Sequence, residues 1–202
     1  MSYRNDFLEA FLFRKKYIPD AAPEKYFSYE DLKSFNARAD SRKVATSFYE
    51  IDDLFQRVYI PDRVRLSLPI ANACHTVCYH LINWLISTNV CDARDLAYTV
   101  GNVSFNGKWM YNVTDENMKE TLAKGLCTSS DVNVHAWLTY RTNYVFDPTI
   151  LFTLADWGLY DLNSAPNRLQ LWSDRYDELR WELDYKPMLV DSDFFNRVDK
   201  LI

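Results

Sequence analysis

From Pro69 to Ile86 the apolar side chains fall at positions 74, 77, 78, 81, 82 and 85, the spacing of one buried helical face. A helix is therefore expected to start just before Cys74, with Pro69 stiffening the approach and Asn72 as its N-cap. Upstream, residues 4–18 read as a helix carrying Phe7, Leu8, Phe11 and Leu12 on one face and ending near Pro19. A second helix is expected from Pro23 or Ser28 to about Ala39, because Ser28-Tyr29-Glu30-Asp31 has the form of a capped start. The polar run Ala39–Lys43 reads as a linker, and a third helix follows over about Val44–Gln56.

Beyond the central helix the period shortens to two. Asp95–Phe105 and Lys108–Val113 read as strands joined at Asn106-Gly107, the strongest short hairpin signal in the chain. Thr114–Lys124 reads as a helix closed by Gly125, and Thr128–Asp131 as a polar loop. Alternation returns in Asn133–Tyr140 and Tyr144–Thr149, separated by Arg141-Thr142-Asn143, which predicts a second hairpin. Ile150–Trp157 is expected to be a short buried helix stopped by Gly158. Leu169–Trp172 and Leu179–Tyr185 complete the strands, and Asp191 caps a final helix to Leu201. Helices first and a mostly antiparallel sheet afterwards predict an α+β fold, with residues 1–60 as a helical cap or subdomain and residues 61–202 as the core.

Composition narrows the chemistry. A length of 202 residues, 48% apolar and 25% charged, fits an ordinary globular protein able to bury a sizeable core. Four glycines argue against glycine-rich phosphate loops, and neither a dinucleotide nor a Walker pattern occurs, so no cofactor is expected. A net charge of −5 gives no footprint for nucleic acid or an anionic membrane. No apolar run is long enough to span a bilayer and the N-terminus has no signal-peptide pattern, which makes cytoplasm the expected address, either that of the host cell or of a cell into which the protein is delivered.

Cys74, Cys78, Cys91 and Cys127 do not form a disulfide framework in a chain of this length and are expected to be reduced. No zinc site is expected either, because Cys74 and Cys78 are spaced C-x-x-x-C within a helix and no second pair matches them. Three of the four read as small buried hydrophobes. Cys74 differs: in the first turn of a helix its thiol meets unpaired N–H groups and the positive end of the dipole, a setting that favours thiolate. On the second hairpin, His135 lies on the first strand and Asp147 ends the second, so that an antiparallel register can bring a carboxylate to the imidazole. Nucleophile, base and orienter are thus present in Cys74, His135 and Asp147. Trp137, two positions after His135, faces the same side and roofs the imidazole against water. His75 and His80 are assigned no role.

Cys74 at a helix start with a small residue four positions on, His135-Ala136-Trp137 on a strand, and Asp147-Pro148-Thr149 closing the next strand resemble the transglutaminase-like superfamily of papain-type thiol enzymes. The resemblance covers about Ile70–Thr149, and the Cys, His and Asp of that family correspond to Cys74, His135 and Asp147. It implies a papain/transglutaminase-like core in which the nucleophile's helix packs on an antiparallel sheet. It also implies acyl transfer at amide bonds of a protein or peptide substrate, by a peptidase, deamidase or transglutaminase. Where many members carry glycine or a glutamine-containing turn before the cysteine, this chain has Asn72-Ala73, leaving the Cys74 N–H and the Asn72 side chain as candidate oxyanion donors. The alternative is a chain that keeps this fold without turnover and serves as a protein-binding module.

Overall fold

A computed structural model describes residues 2–20, 24, 26–35, 48–124, 134–164, 169–172 and 183–199. The expected linker at 39–43, Gly125, the loop at 128–131 and Cys127 lie outside them. The fold is α+β. Its helices are α1 (Tyr3–Leu12), α2 (Arg14–Tyr17), α3 (Tyr29–Ser34), α4 (48–54), α5 (Ile60–Arg65), α6 (Cys74–Ser87), α7 (Asp115–Lys124), α8 (Ile150–Asp156) and α9 (Phe194–Asp199). Its strands are β1 (Leu96–Phe105), β2 (Lys108–Tyr111), β3 (His135–Tyr140), β4 (Tyr144–Asp147), β5 (Gln170–Trp172) and β6 (Leu183–Val190).

Every strand pairing is antiparallel. β1 organises the sheet: β6 runs along one of its edges, while β3 occupies the first half of the other edge and β2 the second half. β4 and β5 continue outward from β3. At the point where β1 changes partner, the Asn102 side chain bonds both the N–H and the carbonyl of Val113, in place of a ladder. The hairpin between β1 and β2 turns at Asn106 (φ 52) and Gly107 (φ 72), both left-handed as a two-residue primed turn requires.

All ten residues of β1 and all of β3 and β4 are buried, so helices must cover both faces of the sheet. On one face α6 lays down Cys74, Cys78, Leu81, Ile82 and Leu85 against Tyr98, Val100, Ala136 and Leu138, and with Val77 also buried this is the face read from the sequence. Each of these fully buried aliphatic side chains contributes about 1.5–3 kcal/mol. On the other face α1 packs Tyr3, Phe7 and Ala10 against Trp137, Val145 and Tyr185. The face expected for α1 is therefore rotated: Leu12 is exposed and Tyr3 buried, because Tyr3 has a polar partner to reach. Its hydroxyl accepts from Trp137 Nε1 (2.8 Å) and shares a 2.6 Å bond with Thr139 Oγ1.

Ser28 and Asp31 form the expected capping box at the start of α3. The helix expected to end near Gln56 continues instead, from α4 through a π turn at Phe55–Tyr59 into α5. The π turn changes the hydrogen-bond register at the point where Pro61, which has no N–H, enters the helix. Asp191, expected only as a cap, is wholly buried and takes hydrogen bonds from Arg14 and Arg197, tying α2 and α9 to the end of β6. Among the described residues no helix is long and apolar enough to cross a membrane.

Gly101 sits where β6 bulges, with Val100 opposite Leu189 and Gly101 opposite Pro187, so that Met188 is the extra residue. A Cβ at 101 would run into the Lys186 carbonyl oxygen and lie 2.9 Å from the Trp137 ring. The obstruction is backbone and a buried ring, neither of which can swing away. Gly101→Ala is therefore expected to destabilise the fold by about 1–3 kcal/mol, seen as a lower urea midpoint at unchanged slope.

Candidate active site

Three elements converge on the site. α6 lies along β3, where the Cys78 thiol donates to the Ala136 carbonyl at 3.3 Å, and one turn earlier Cys74 comes beside His135. The expected neighbours are together: Cys74 is 6% exposed, while His135 and Asp147 have no exposed surface. His135 Nε2 is 2.6 Å from Asp147 Oδ2. Its Nδ1 is buried without a hydrogen-bond partner of good geometry and is the nitrogen left to serve the thiol.

The hairpin register pairs Leu138 with Phe146 and Thr139 with Val145, which sets Asp147 one diagonal step from His135 rather than directly across. A diagonal pair still shares one face of the sheet and remains within reach of a long side chain. Asp147 is held from every side. Oδ2 accepts from His135 and from the Tyr185 hydroxyl (3.0 Å), and Oδ1 accepts from the N–H groups of Thr149 (2.9 Å) and Ile150 (3.0 Å) and from Thr149 Oγ1 (3.2 Å). The Asp147-Pro148-Thr149 turn thus folds the carboxylate back onto the first turn of α8.

Rings close over the imidazole. Tyr111, the last residue of β2, stacks on His135 with centroids 4.6 Å apart, because β2 and β3 meet end to end along β1. Trp137 lies 6.1 Å away, on the same side as the sequence places it. Trp157, 40% exposed, touches Tyr111 from outside at 5.8 Å. It follows α8, whose end is made by Gly158 at φ 71 with Leu159 N–H bonding the Leu154 carbonyl.

The electrostatics favour charge separation. Burial pushes the Cys74 thiol up, but the positive character of His75 and His135 beside it outweighs that and brings the thiol down to about 5. Burial pushes His135 down, but the charges of Asp147 and Cys74 outweigh that and lift it to about 10. Burial likewise pushes Asp147 up, and the His135 charge with the amides of Thr149 and Ile150 holds it below the usual carboxylate range. Cys78 has no such partners; burial and the charges of Asp147 and Cys74 all push it well up.

Asn72 does not cap α6. The N-cap is Ala73, with no side-chain bond to the first turn. Asn72 has φ 56, and this left-handed backbone turns its side chain away, so that Nδ2 donates to Asp156 Oδ2 at 2.8 Å on the rim. Its own N–H donates to Thr153 Oγ1 at 3.0 Å, fastening the approach to α6 onto α8. His75, given no role from sequence, stands beside the thiol with Nδ1 2.9 Å from the Tyr98 hydroxyl. Tyr111 and Tyr185 were equally unforeseen, since only strand pairing brings them to His135 and Asp147.

Comparisons of the chain with models of protein families, with curated proteins and with solved structures each return no match. Among the described residues no cluster of three or more His, Cys, Asp or Glu is arranged to hold a metal. A thiol with an imidazole behind it and a buried carboxylate behind that can carry out nucleophilic acyl transfer.

The thiol shift sets a pH dependence. A thiol brought down to about 5 is thiolate above that pH, so alkylation of Cys74 by iodoacetamide is expected to rise with a midpoint near pH 5 and to be flat through neutrality. Buried Cys78 is expected to stay unlabelled. In His135→Ala, burial is no longer offset by that imidazole, and the Cys74 midpoint is expected to move up toward the ordinary thiol value of about 8.5. Peptide mass spectrometry of each cysteine against pH reads both effects.

Proposed function

We propose that this chain is a cysteine-dependent acyl-transfer enzyme of the transglutaminase-like, papain-type kind, acting on amide bonds of protein or peptide substrates through Cys74, His135 and Asp147. The observation that carries the reading is the buried chain from the Cys74 thiol through His135 to Asp147, with the 2.6 Å bond between the last two. A satisfied core histidine is not built this way: its second nitrogen is left without a bond beside a cysteine at a helix start.

The residues define a complete cycle. The Cys74 thiolate attacks the substrate carbonyl, a C–S bond forms, and the carbonyl electron pair moves to oxygen. The tetrahedral adduct collapses as the C–N bond breaks, and His135 Nδ1 hands its proton to the departing amine. Water or a second amine then gives a proton to His135 and attacks the thioester, and the C–S bond breaks to restore thiolate and imidazolium. Asp147 fixes the ring through Nε2, so that Nδ1 is the nitrogen presented to sulfur and leaving group. Tyr185, Thr149 and Ile150 hold Asp147, and the Tyr111 and Trp137 rings keep bulk water from the imidazole.

Acylation needs thiolate and imidazolium together, which is the form present between about pH 5 and about pH 10. Turnover of an amide is therefore expected to follow a bell with those limbs, falling below about 5 as the thiolate gains a proton and above about 10 as His135 loses one. The test is a screen of glutamine-containing peptides against water and a fluorescent amine, with mass spectrometry for a Cys74 acyl adduct. Cys74→Ala is expected to abolish the adduct, and Asp147→Asn to lower kcat by roughly 10²–10⁴ with Cys74 still present. A reactive Cys74 that acylates with none of these substrates would instead favour a binding module that has lost turnover.

A further inference from the structure

Acyl transfer places a negative charge on the carbonyl oxygen, and a thiol site that works must present donors to it. The first turn of α6 supplies some. The first N–H groups of a helix have no intrahelical partner, and here no side chain caps them, since the N-cap is Ala73. A second, side-chain donor is missing from the expected place, because the Asn72 amide is engaged by Asp156 on the rim.

The next residue along has what Asn72 lacks. His75 follows the nucleophile directly, and its imidazole stands close enough to the thiol for its charge to act on it. The ring is gripped on one side by Phe194, stacked at 5.5 Å, and on another by Tyr98, whose hydroxyl is 2.9 Å from Nδ1. Tyr98 is almost wholly buried. Where the Tyr98 hydroxyl donates to Nδ1, rather than to the His75 carbonyl 3.4 Å away, the ring hydrogen stands on Nε2. That atom is buried and has no hydrogen-bond partner. An orphaned buried donor is costly and is retained where a ligand satisfies it.

We propose that His75 Nε2–H and the Cys74 backbone N–H together form the oxyanion hole of this site. His75 is then a second catalytic histidine with a role distinct from that of His135. One imidazole, backed by a carboxylate, moves protons; the other, backed by a phenol, donates a fixed hydrogen to the developing oxyanion. The proposal rests on the acyl-transfer reading, and it specifies how the tetrahedral adduct is held.

The test compares two small reagents that both need the Cys74 thiolate. p-Nitrophenyl acetate reacts through a tetrahedral oxyanion: a C–S bond forms, the C–O bond breaks and p-nitrophenolate leaves. Iodoacetamide reacts by direct displacement of iodide, with no oxyanion. The readout is the ratio of the two rate constants at pH 7.5, normalised to the same ratio for free cysteine. In the wild type this ratio is expected to stand about 100-fold above that of free cysteine. His75→Phe, which keeps a ring against Phe194, is expected to lower it by about 100-fold; the loss of thiolate that follows removal of this imidazole slows both reagents alike and cancels in the ratio. His75→Gln, which restores an N–H donor, is expected to recover at least a tenth of the wild-type ratio.

A wild-type ratio equal to that of free cysteine would overturn the acyl-transfer reading and this proposal with it. A high wild-type ratio unchanged in His75→Phe would overturn the role of His75 alone. Ester and alkylation rates falling in parallel would mean that His75 serves the thiol rather than the oxyanion, and would overturn it too. Should His75→Phe fail to fold, His75→Met, which removes the donor with little change in bulk, decides in the same way.

Discussion

Asp147 carries its charge with no exposed surface, and an isolated carboxylate in a protein interior costs several kcal/mol. Removing that cost requires donors from several directions, and the chain supplies them from four elements: β3 through His135, β6 through Tyr185, the turn through Thr149, and α8 through the Ile150 amide. Each of these donors also fixes the element that bears it. The carboxylate is therefore a joint of the fold as much as a part of the site, and the position of His135 follows from it.

The second constraint is the divided edge of β1. A strand of ten residues is served on that edge by two short strands, β3 from Leu96 to Gly101 and β2 from Val103 to Phe105. Where the two meet, His135 begins one and Tyr111 ends the other, so their rings stack without any sequence proximity. Gly101 stands opposite His135, and the absence of a side chain there lets the Trp137 ring lie close to the backbone of β1. Trp137 in turn is anchored through Tyr3 to α1, so the first helix of the chain braces the strand that carries His135.

Much of this was legible from residue spacing. The buried face of α6, the Asn106-Gly107 turn, the stop at Gly158 and the α+β class all depend on local period and turn chemistry, which act within a few residues and leave their mark on the sequence. The proximity of Cys74, His135 and Asp147 was also readable, because a hairpin and a helix start constrain them strongly. What escaped depends on long-range partners. The α1 face turns toward Trp137, a partner 134 residues away. Asn72 looked like a cap by residue type, but its left-handed backbone and Asp156 take it elsewhere. His75 was indistinguishable from a surface histidine until Tyr98, on another element, came to its Nδ1.

Cys74 and Cys78 offer an internal comparison of what activates a thiol. They lie one turn apart on one helix, both buried among the same core residues, and their thiols shift in opposite directions. Burial acts alike on both, disfavouring the thiolate. The difference is in the neighbours: Cys74 meets two imidazoles at the uncapped start of the helix, whereas Cys78 meets the charge of Asp147 and of Cys74 itself, and donates its hydrogen to the Ala136 carbonyl. Neither helix membership nor burial therefore accounts for the activated thiol. Position in the first turn matters because it brings the sulfur to the end of β3, where His135 stands. Moved one turn deeper, the same side chain becomes an inert part of the core.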